Sequence, residues 1–393
     1  MPSAEERASE GLDLSTEQEV QNVVSFPFRV VGGAVVYPLK FMFVDLPTSI
    51  GEAFHDELAP QRSLLVSEQV ADREDAVAAL RRTQHPGAVP LLVRALHDVD
   101  ATIRRDAALA LRELGKPGVA RGEPLLEVQL REAGREDLVA IGTRVLPLLL
   151  ARLERDPAPV VRASAALAIG RLGTGDEIPA LQRLYDREAA ADDPFVASFI
   201  LLARGQCGDE SVAGEALRHI ETSQHPVQYA NALLALAYVR AEAMEAELRR
   251  ALAHPDERVV IAAITGYGIA EDYGVLLSLA RDGTALQAEK ALLALGEYGQ
   301  QDFVGVLERY RNHPSSGMRR AAVFGLAASG YPRSVPYLIP LLQDMSVVTR
   351  LQALHYLVKL TGRDLGPEPR AWNEWWNRDG ADFVAVAHTP AQE

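Results

Sequence analysis

The sequence predicts an all-α fold, an α-solenoid of about nine helical pairs that follow an irregular apolar N-terminal segment. A stretch of small residues ending at a turn recurs about every thirty residues, as in AALALRELG (107–115), AALAIGRLG (165–173) and LLALGEYG (292–299). A fixed period of this length is typical of stacked helical units. Leu, Val and Ile at helical spacing give each unit an apolar face, and the alanines let neighbouring helices approach closely.

Each predicted unit begins with a charged or Pro-containing turn, followed by a small-residue helix that we call helix B. A glycine ends helix B, because glycine readily adopts the left-handed conformation of a helix C-cap, and a nearby proline prevents the helix from continuing. Residues 156–186 show the complete order of turn, helix B, glycine turn and a second helix, helix A.

The pattern divides the chain into four predicted regions. Residues 1–24 are polar and acidic and predict a tail followed by a short helix with a capping box. Residues 25–65 form an apolar segment that contains Pro and Gly. The repeat array occupies residues 66–362, and residues 363–393 form a Trp-rich C-terminal cap and tail.

Residues 25–54 are unusual because they are strongly apolar yet contain three prolines and a Gly-Gly pair. One interpretation is a cap over the exposed apolar face of the first repeat, which every solenoid must protect. A second is an element that binds a membrane surface or a partner, with its cations at the headgroups. A third is a segment that threads into a larger complex. The predicted contact residues are Phe26, Phe28, Arg29, Tyr37, Lys40, Phe41 and Phe43.

Three tryptophans mark the C-terminal region. Trp372, Trp375 and Trp376 follow the spacing of one face of a short helix. Such a face either caps the last repeat or contacts a partner protein.

Composition restricts the classes of partner. The 393 residues carry a net charge of −14, which argues against nucleic acid, since phosphate binding relies mainly on Lys and Arg. The sequence contains neither a signal-peptide pattern nor eighteen consecutive apolar residues. The expected location is the cytoplasm, at a membrane surface if residues 25–54 bind one.

The residues that could carry chemistry have structural interpretations. The single cysteine, Cys207, excludes an intramolecular disulfide and a cysteine-rich zinc site, and its setting predicts a buried helix residue. His-Pro pairs recur at 225–226, 254–255 and 313–314, where proline ends one helix and begins the next. The chain has no HExxH, phosphate-binding or nucleophile-elbow motif. We therefore predict no catalytic residue, cofactor or metal.

The repeats resemble the HEAT-like family, in particular the short bacterial repeats also found in phycobilisome lyases. The resemblance rests on an Asp or Pro before helix B, an apolar-Arg pair such as Val161-Arg162, the small residues and the closing glycine. It implies a structural ladder in which the turn Asp and the helix Arg link successive units. Two middle units lack the Arg and have Tyr229 and Val260 near its position. The candidate pairs are Asp100 with Arg104, Asp156 with Arg162, and Asp344 with Arg350.

The predicted function is a non-enzymatic scaffold or adaptor that binds a protein partner with the curved repeat surface. One alternative is a membrane-associated component of a larger complex, docked through residues 23–54. A second, implied by the family resemblance alone, is a bilin-lyase-like or assembly-factor role.

Overall fold

A computed structural model describes residues 58–83, 87–114, 136–191, 194–223 and 225–387. Within these residues the regular structure is entirely helical, and the predicted all-α solenoid fold is confirmed. The predictions for residues 1–24 and 25–54 lie outside the described residues.

The described residues form nineteen α-helices. In chain order they are α1 (Ala59–Leu64), α2 (Val70–Thr83), α3 (Ala88–Ala95), α4 (Ala101–Leu114), α5 (Glu136–Arg155), α6 (Pro159–Leu172), α7 (Ile178–Ala189), α8 (Phe195–Gln206), α9 (Val212–Thr222), α10 (Pro226–Val239), α11 (Met244–Ala251), α12 (Glu257–Ile269), α13 (Tyr273–Asp282), α14 (Ala285–Tyr298), α15 (Val304–Tyr310), α16 (Ser316–Ala328), α17 (Val335–Leu338), α18 (Val347–Thr361) and α19 (Pro369–Ala387). Three 3₁₀ segments, Gln300–Phe303, Pro332–Ser334 and Ile339–Gln343, lie between the later helices.

The chain divides into two compact units, Met1–Ala235 and Leu236–Glu393, with the boundary inside α10. In both units the even-numbered helices are the predicted B helices. In unit 1, α4 packs against α2 and α6, and α6 packs against α8. In unit 2, α14 packs against α12 and α16, and α16 against α18. Most odd-numbered helices pack beside the even-numbered helix next to them in the chain, so each unit consists of two helical layers.

Small residues bring successive even-numbered helices into contact at the backbone. A Cβ atom added to Gly170 of α6 would lie 2.8 Å from the Cα atom of Ala203 in α8. In unit 2, a Cβ atom on Gly296 of α14 would lie 2.6 Å from the Cα atom of Gly325 in α16. No side chain fits at such separations, which explains why the repeated segments are rich in Ala and Gly.

Helix α19 covers the C-terminal end of the unit 2 core. The rings of Trp372 and Trp375 lie in one apolar cluster with Phe324 and Leu357. The Trp372 indole N–H donates to the Gly366 carbonyl over 2.7 Å, so the most deeply buried indole has its polar group satisfied.

The contact between α14 and α16 predicts a contrast between two glycine substitutions in unit 2. We expect G296A to lower the free energy of unfolding by about 1–3 kcal/mol, because the added methyl group meets backbone that must move. G305A is the control, since a Cβ atom on Gly305 in α15 has nothing within 4 Å. It should raise that free energy by about 0.5 kcal/mol through the lower entropy of the unfolded chain. Urea denaturation of the full chain measures both, and equal effects would contradict the close contact.

Candidate functional site

The fourth residue of each even-numbered helix occupies an equivalent place, which we call the ladder position. Its backbone N–H bonds to the carbonyl of the residue just before the helix. Five of these residues are arginines, and in each the guanidinium Nη1 donates to the two carbonyls six and five residues earlier, over 2.7–3.3 Å. The five are Arg73, Arg104, Arg162, Arg319 and Arg350.

In unit 1 the other edge of the guanidinium binds a carboxylate further along the array. Arg73 Nε lies 2.8 Å from Asp98 Oδ2. Arg104 binds Asp156 through Nε at 2.7 Å and Nη2 at 2.9 Å. Arg162 Nη2 lies 3.1 Å from Glu188 Oε2. Arg73 and Arg104 therefore tie their own turns to the turn before the next even-numbered helix, and Arg162 ties its turn to the end of α7.

Burial alone would raise the pKa of Asp156, but hydrogen bonds from Arg104 and from the Ala158 amide hold that pKa below its ordinary value. The side chain of Asp156 is fully buried, and that of Arg104 nearly so. The carboxylate is therefore charged at neutral pH, and its stability in this buried place depends on the ion pair with Arg104.

The structure corrects the predicted pairs of the ladder. Asp100 does not pair with Arg104 but accepts the Thr102 amide of its own helix at 2.7 Å. Arg162 binds the carbonyl of Asp156 and not its carboxylate, which belongs to Arg104. The pairing differs from the prediction for a geometric reason. Nη1 points back to the arginine's own turn, so the opposite edge of the guanidinium is the one that reaches a carboxylate further along the chain.

Unit 2 has the same arginines without the carboxylates. Among the residues that the structure describes, neither Arg319 nor Arg350 contacts an Asp or Glu side chain. Asp344 occupies the place of Asp156, yet its carboxylate accepts the Ser346 amide at 2.8 Å and its carbonyl accepts from Arg350. The predicted Asp344–Arg350 pair is thus made through the backbone carbonyl of Asp344. The Nε edges of the Arg319 and Arg350 guanidinium groups bind no carboxylate of the described residues.

Four middle helices have neutral residues at the ladder position. Sequence reasoning found Tyr229 and Val260; the structure adds Ser198 and Ala288. Ser198 Oγ accepts from Asn231 Nδ2 over 3.0 Å, and both residues are buried. A neutral hydrogen bond thus joins α8 to α10, where an ion pair joins the earlier helices.

A second feature is the line of fifth, ninth and thirteenth residues on the even-numbered helices of unit 2, the unit 2 stripe. These positions share one helix face because they are four residues apart. In α12, Ile261 and Thr265 are partly exposed, whereas all the other residues from Val259 to Gly268 are buried. The stripe comprises Ile261, Thr265, Ile269, Glu289, Leu293, Glu297, Arg320, Phe324, Ala328, Leu351, His355 and Lys359.

The chemistry of the stripe changes along the unit. It is neutral on α12, acidic on α14 through Glu289 and Glu297, and basic on the last two helices through Arg320 and Lys359. Phe324 is buried, where its ring stacks on that of Tyr356. In unit 1 the fifth and ninth residues of α6 and α8 are apolar and buried, namely Ala163, Leu167, Phe199 and Ala203. On α6 and α8 these positions therefore offer no accessible line.

A buried polar cluster in unit 1 is satisfied internally. Arg204 is fully buried and donates to Asp209 at 2.8 Å, to Ser211 at 3.1 Å and to Glu215. Burial alone would raise the pKa of Asp209, but the hydrogen bonds from Ser211 and Arg204 hold it below its usual value. With three side-chain partners, the guanidinium has a structural role in joining α8 to α9.

His219 of α9 lies against α7. Its Nε2 is 3.1 Å from the hydroxyl of Tyr185. Burial, with a smaller contribution from Arg218, lowers the pKa of His219. The imidazole is therefore neutral at pH 7 and serves as a hydrogen-bond partner.

The described residues hold no group of three or more His, Cys, Asp or Glu side chains arranged to bind a metal ion. Within the same residues, no helix combines the length and the apolar character needed to cross a bilayer.

The residues predicted to contact a partner or a membrane fall into two groups. Phe26, Phe28, Arg29, Tyr37, Lys40, Phe41 and Phe43 lie outside the described residues, so their role stays a prediction. Trp372 and Trp375 are buried in the core of unit 2, and Trp376 is partly buried against it. A partner contact through Trp372 or Trp375 is therefore corrected to a role in packing.

Comparison with known protein families identifies the repeats. A HEAT repeat model matches residues 145–175, and a model of HEAT repeats matches residues 304–371. The matches include Arg162, Arg319 and Arg350, three of the five ladder arginines. The prediction of HEAT-like repeats is confirmed for these residues. No curated protein sequence matches the chain.

Solved structures to which the chain is similar include three different proteins. The complex of CpcE and CpcF of phycocyanin lyase from Nostoc is 19% identical, with a TM-score of 0.39 over 82% of this chain and 100% of that chain. An engineered protein is 16% identical, with a TM-score of 0.33 over 85% and 97%. Importin beta is 13% identical, with a TM-score of 0.32 over 84% and 54%.

The ion pair of Arg104 predicts a pH-dependent effect of D156N. At pH 7 we expect the substitution to lower the free energy of unfolding by about 3 kcal/mol, because it leaves a buried guanidinium uncompensated. Since the folded-state pKa of Asp156 is depressed, this stabilisation is complete above about pH 4, the ordinary Asp value, and is lost as the pH falls through the folded-state value. Urea denaturation between pH 3 and pH 7 gives the difference from the wild type.

The matched control is E374Q, which breaks the exposed Arg370–Glu374 pair of α19. Because both partners are solvated, the free energy of unfolding should hardly change at any pH. A D156N deficit that stayed constant down to pH 3 would contradict the assignment of the charged pair.

Burial of Cys207 predicts an unreactive thiol. Burial, with smaller contributions from Glu177 and Asp209, raises the pKa of Cys207 to about 12. At pH 8 the thiolate is then about one part in ten thousand, so a disulfide reagent should label the native chain only through unfolding. The absorbance of released thionitrobenzoate measures the rate, with the chain in urea as the positive control. Labelling of the folded chain as fast as that of the unfolded chain would contradict the burial.

Proposed function

We propose that this chain of HEAT-like repeats is a non-enzymatic scaffold or adaptor that binds a partner protein through the unit 2 stripe. The observation that carries the proposal is the exposure pattern of α12 to α18. Between the starts and the ends of these helices most residues are buried except along one line, and that line combines apolar, acidic and basic side chains. A mixture of apolar residues with surrounding charges is typical of protein interfaces.

The dimensions of the stripe also favour a protein. Four helices about 10 Å apart give a line about 30 Å long, which suits a macromolecular surface better than a small molecule. A specific protein interface buries about 800 Å² on each partner, so a partner bound here would also cover residues beside the stripe.

Two other functions predicted from the sequence remain predictions. One is membrane association through residues 23–54, and the other is a bilin-lyase-like or assembly-factor role. The cytoplasmic location also remains a prediction. The stripe favours the scaffold over these functions because it lies within the repeats and presents side chains for recognition.

The proposal is tested by quantitative capture of proteins from an extract of the source cells. We expect T265R/K359E, which changes two stripe residues, to reduce recovery of the captured partner at least about tenfold, since a new charge and a reversed charge then face it. L277R/R281E on α13 is the matched control, because it makes the same changes in charge at exposed positions of an odd-numbered helix. Recovery with this control should equal that of the wild type.

Circular dichroism confirms beforehand that both variants are folded. Equal recovery by the stripe variant and the wild type would contradict the proposal, as would a loss confined to the α13 control.

A further inference from the structure

We propose that Arg319 and Arg350 form a receptor for a partner segment in which carboxylate side chains stand next to apolar ones. The inference rests on the proposed function and specifies the chemistry of the partner. The two halves of the ladder differ, because three arginines bind a carboxylate of this chain and two do not.

The open guanidinium groups are held in a fixed orientation. Arg319 Nη1 donates to the carbonyls of His313 at 2.9 Å and Pro314 at 2.7 Å. Arg350 Nη1 donates to the carbonyls of Asp344 at 2.7 Å and Met345 at 3.2 Å. These bonds do not use Nε and Nη2, which together form the edge that matches a carboxylate in two-point contact. Because the side chains are already ordered, binding costs little further entropy.

The ligand class follows from what occupies the same edge elsewhere in this chain. At Arg73, Arg104 and Arg162 the occupant is a carboxylate each time, and the first two arginines bind it through both Nε and Nη2. The equivalent acid near Arg319 is Asp344, whose carboxylate is bound to the Ser346 amide and to neither arginine. A carboxylate from another chain would complete the pattern found in unit 1.

Exposed apolar side chains beside Arg350 define the rest of the partner segment. Met345 is 99% exposed, and Val347 and Val348 are 56% and 58% exposed. Met345 also supplies one of the carbonyls that hold Arg350. A contiguous apolar group at a surface is typical of a contact site. Since α16 packs against α18, equivalent positions on the two helices lie about 10 Å apart, so one segment can reach both arginines.

The experiment pans a phage-displayed library of random 12-residue peptides against the full-length protein. We expect enrichment of peptides with Asp or Glu next to Leu, Ile, Met or Phe. A synthetic copy of the most enriched peptide should bind R319Q/R350Q at least about tenfold more weakly than the wild type, because each variant side chain loses a charge-assisted, two-point contact. Its affinity for M345S should also fall.

Two controls separate the receptor from general electrostatic attraction. R309E/R333E removes two other exposed arginines of unit 2 and should leave peptide affinity within about twofold. A peptide with its acidic residues changed to Lys should bind R319E/R350E more tightly than the wild type. Such a reversal arises only if these charges face each other.

The inference is overturned if no peptide is enriched, if the enriched peptides lack carboxylates, or if binding is insensitive to R319Q/R350Q. Binding to phosphatidylserine vesicles that depends on the two arginines, without peptide binding, would assign the site to lipid and also overturn it. Failure here differs from failure of the scaffold proposal. Partner capture that is sensitive to T265R/K359E but not to R319Q/R350Q would keep the scaffold and remove the receptor.

Discussion

The backbone approach of successive even-numbered helices is the constraint on which the rest of the structure depends. At Gly170 with Ala203, and at Gly296 with Gly325, the helices are too close for any side chain to lie between them. Small residues are therefore required where the helices cross, and larger apolar residues fill the space towards the odd-numbered layer. The repeated pattern of the sequence is the direct expression of this requirement.

The same constraint determines where recognition can occur. A helix packed on both sides and backed by a second layer has one free line of side chains, and on α12 this line is Ile261, Thr265 and Ile269. Its N-terminal turn is the other accessible place, and there the ladder arginines bind backbone carbonyls. Substitutions that change what the array binds can therefore occur in two places, along the stripe and at the Nε edge of the ladder arginines. In unit 1 that edge is closed by carboxylates of the chain itself, and in unit 2 it is open.

The fold could be predicted from the sequence because the period, the small residues and the helical spacing all record local geometry. Three of the ladder arginines, Arg104, Arg162 and Arg350, could be predicted from the family resemblance, but their partners could not. Asp156 lies 52 residues from Arg104, whereas a nearer aspartate at residue 100 suggested a local pair. Ser198 and Ala288 were missed because neither residue type signals an interrupted ladder. The tryptophan spacing fits a cap or a contact equally well, and only burial distinguishes the two. The stripe could not be recognised, because its residues become one surface only when helices stack.

The ion pair between Arg104 and Asp156 has a consequence for the evolution and engineering of the array. It joins the turns before α4 and α6, and these helices pack directly against each other. The two helices are therefore consecutive members of the stack, although α5 lies between them in the chain. Any engineered array that exchanges α4 or α6 must keep both members of this pair, since loss of either partner leaves a buried charge without compensation.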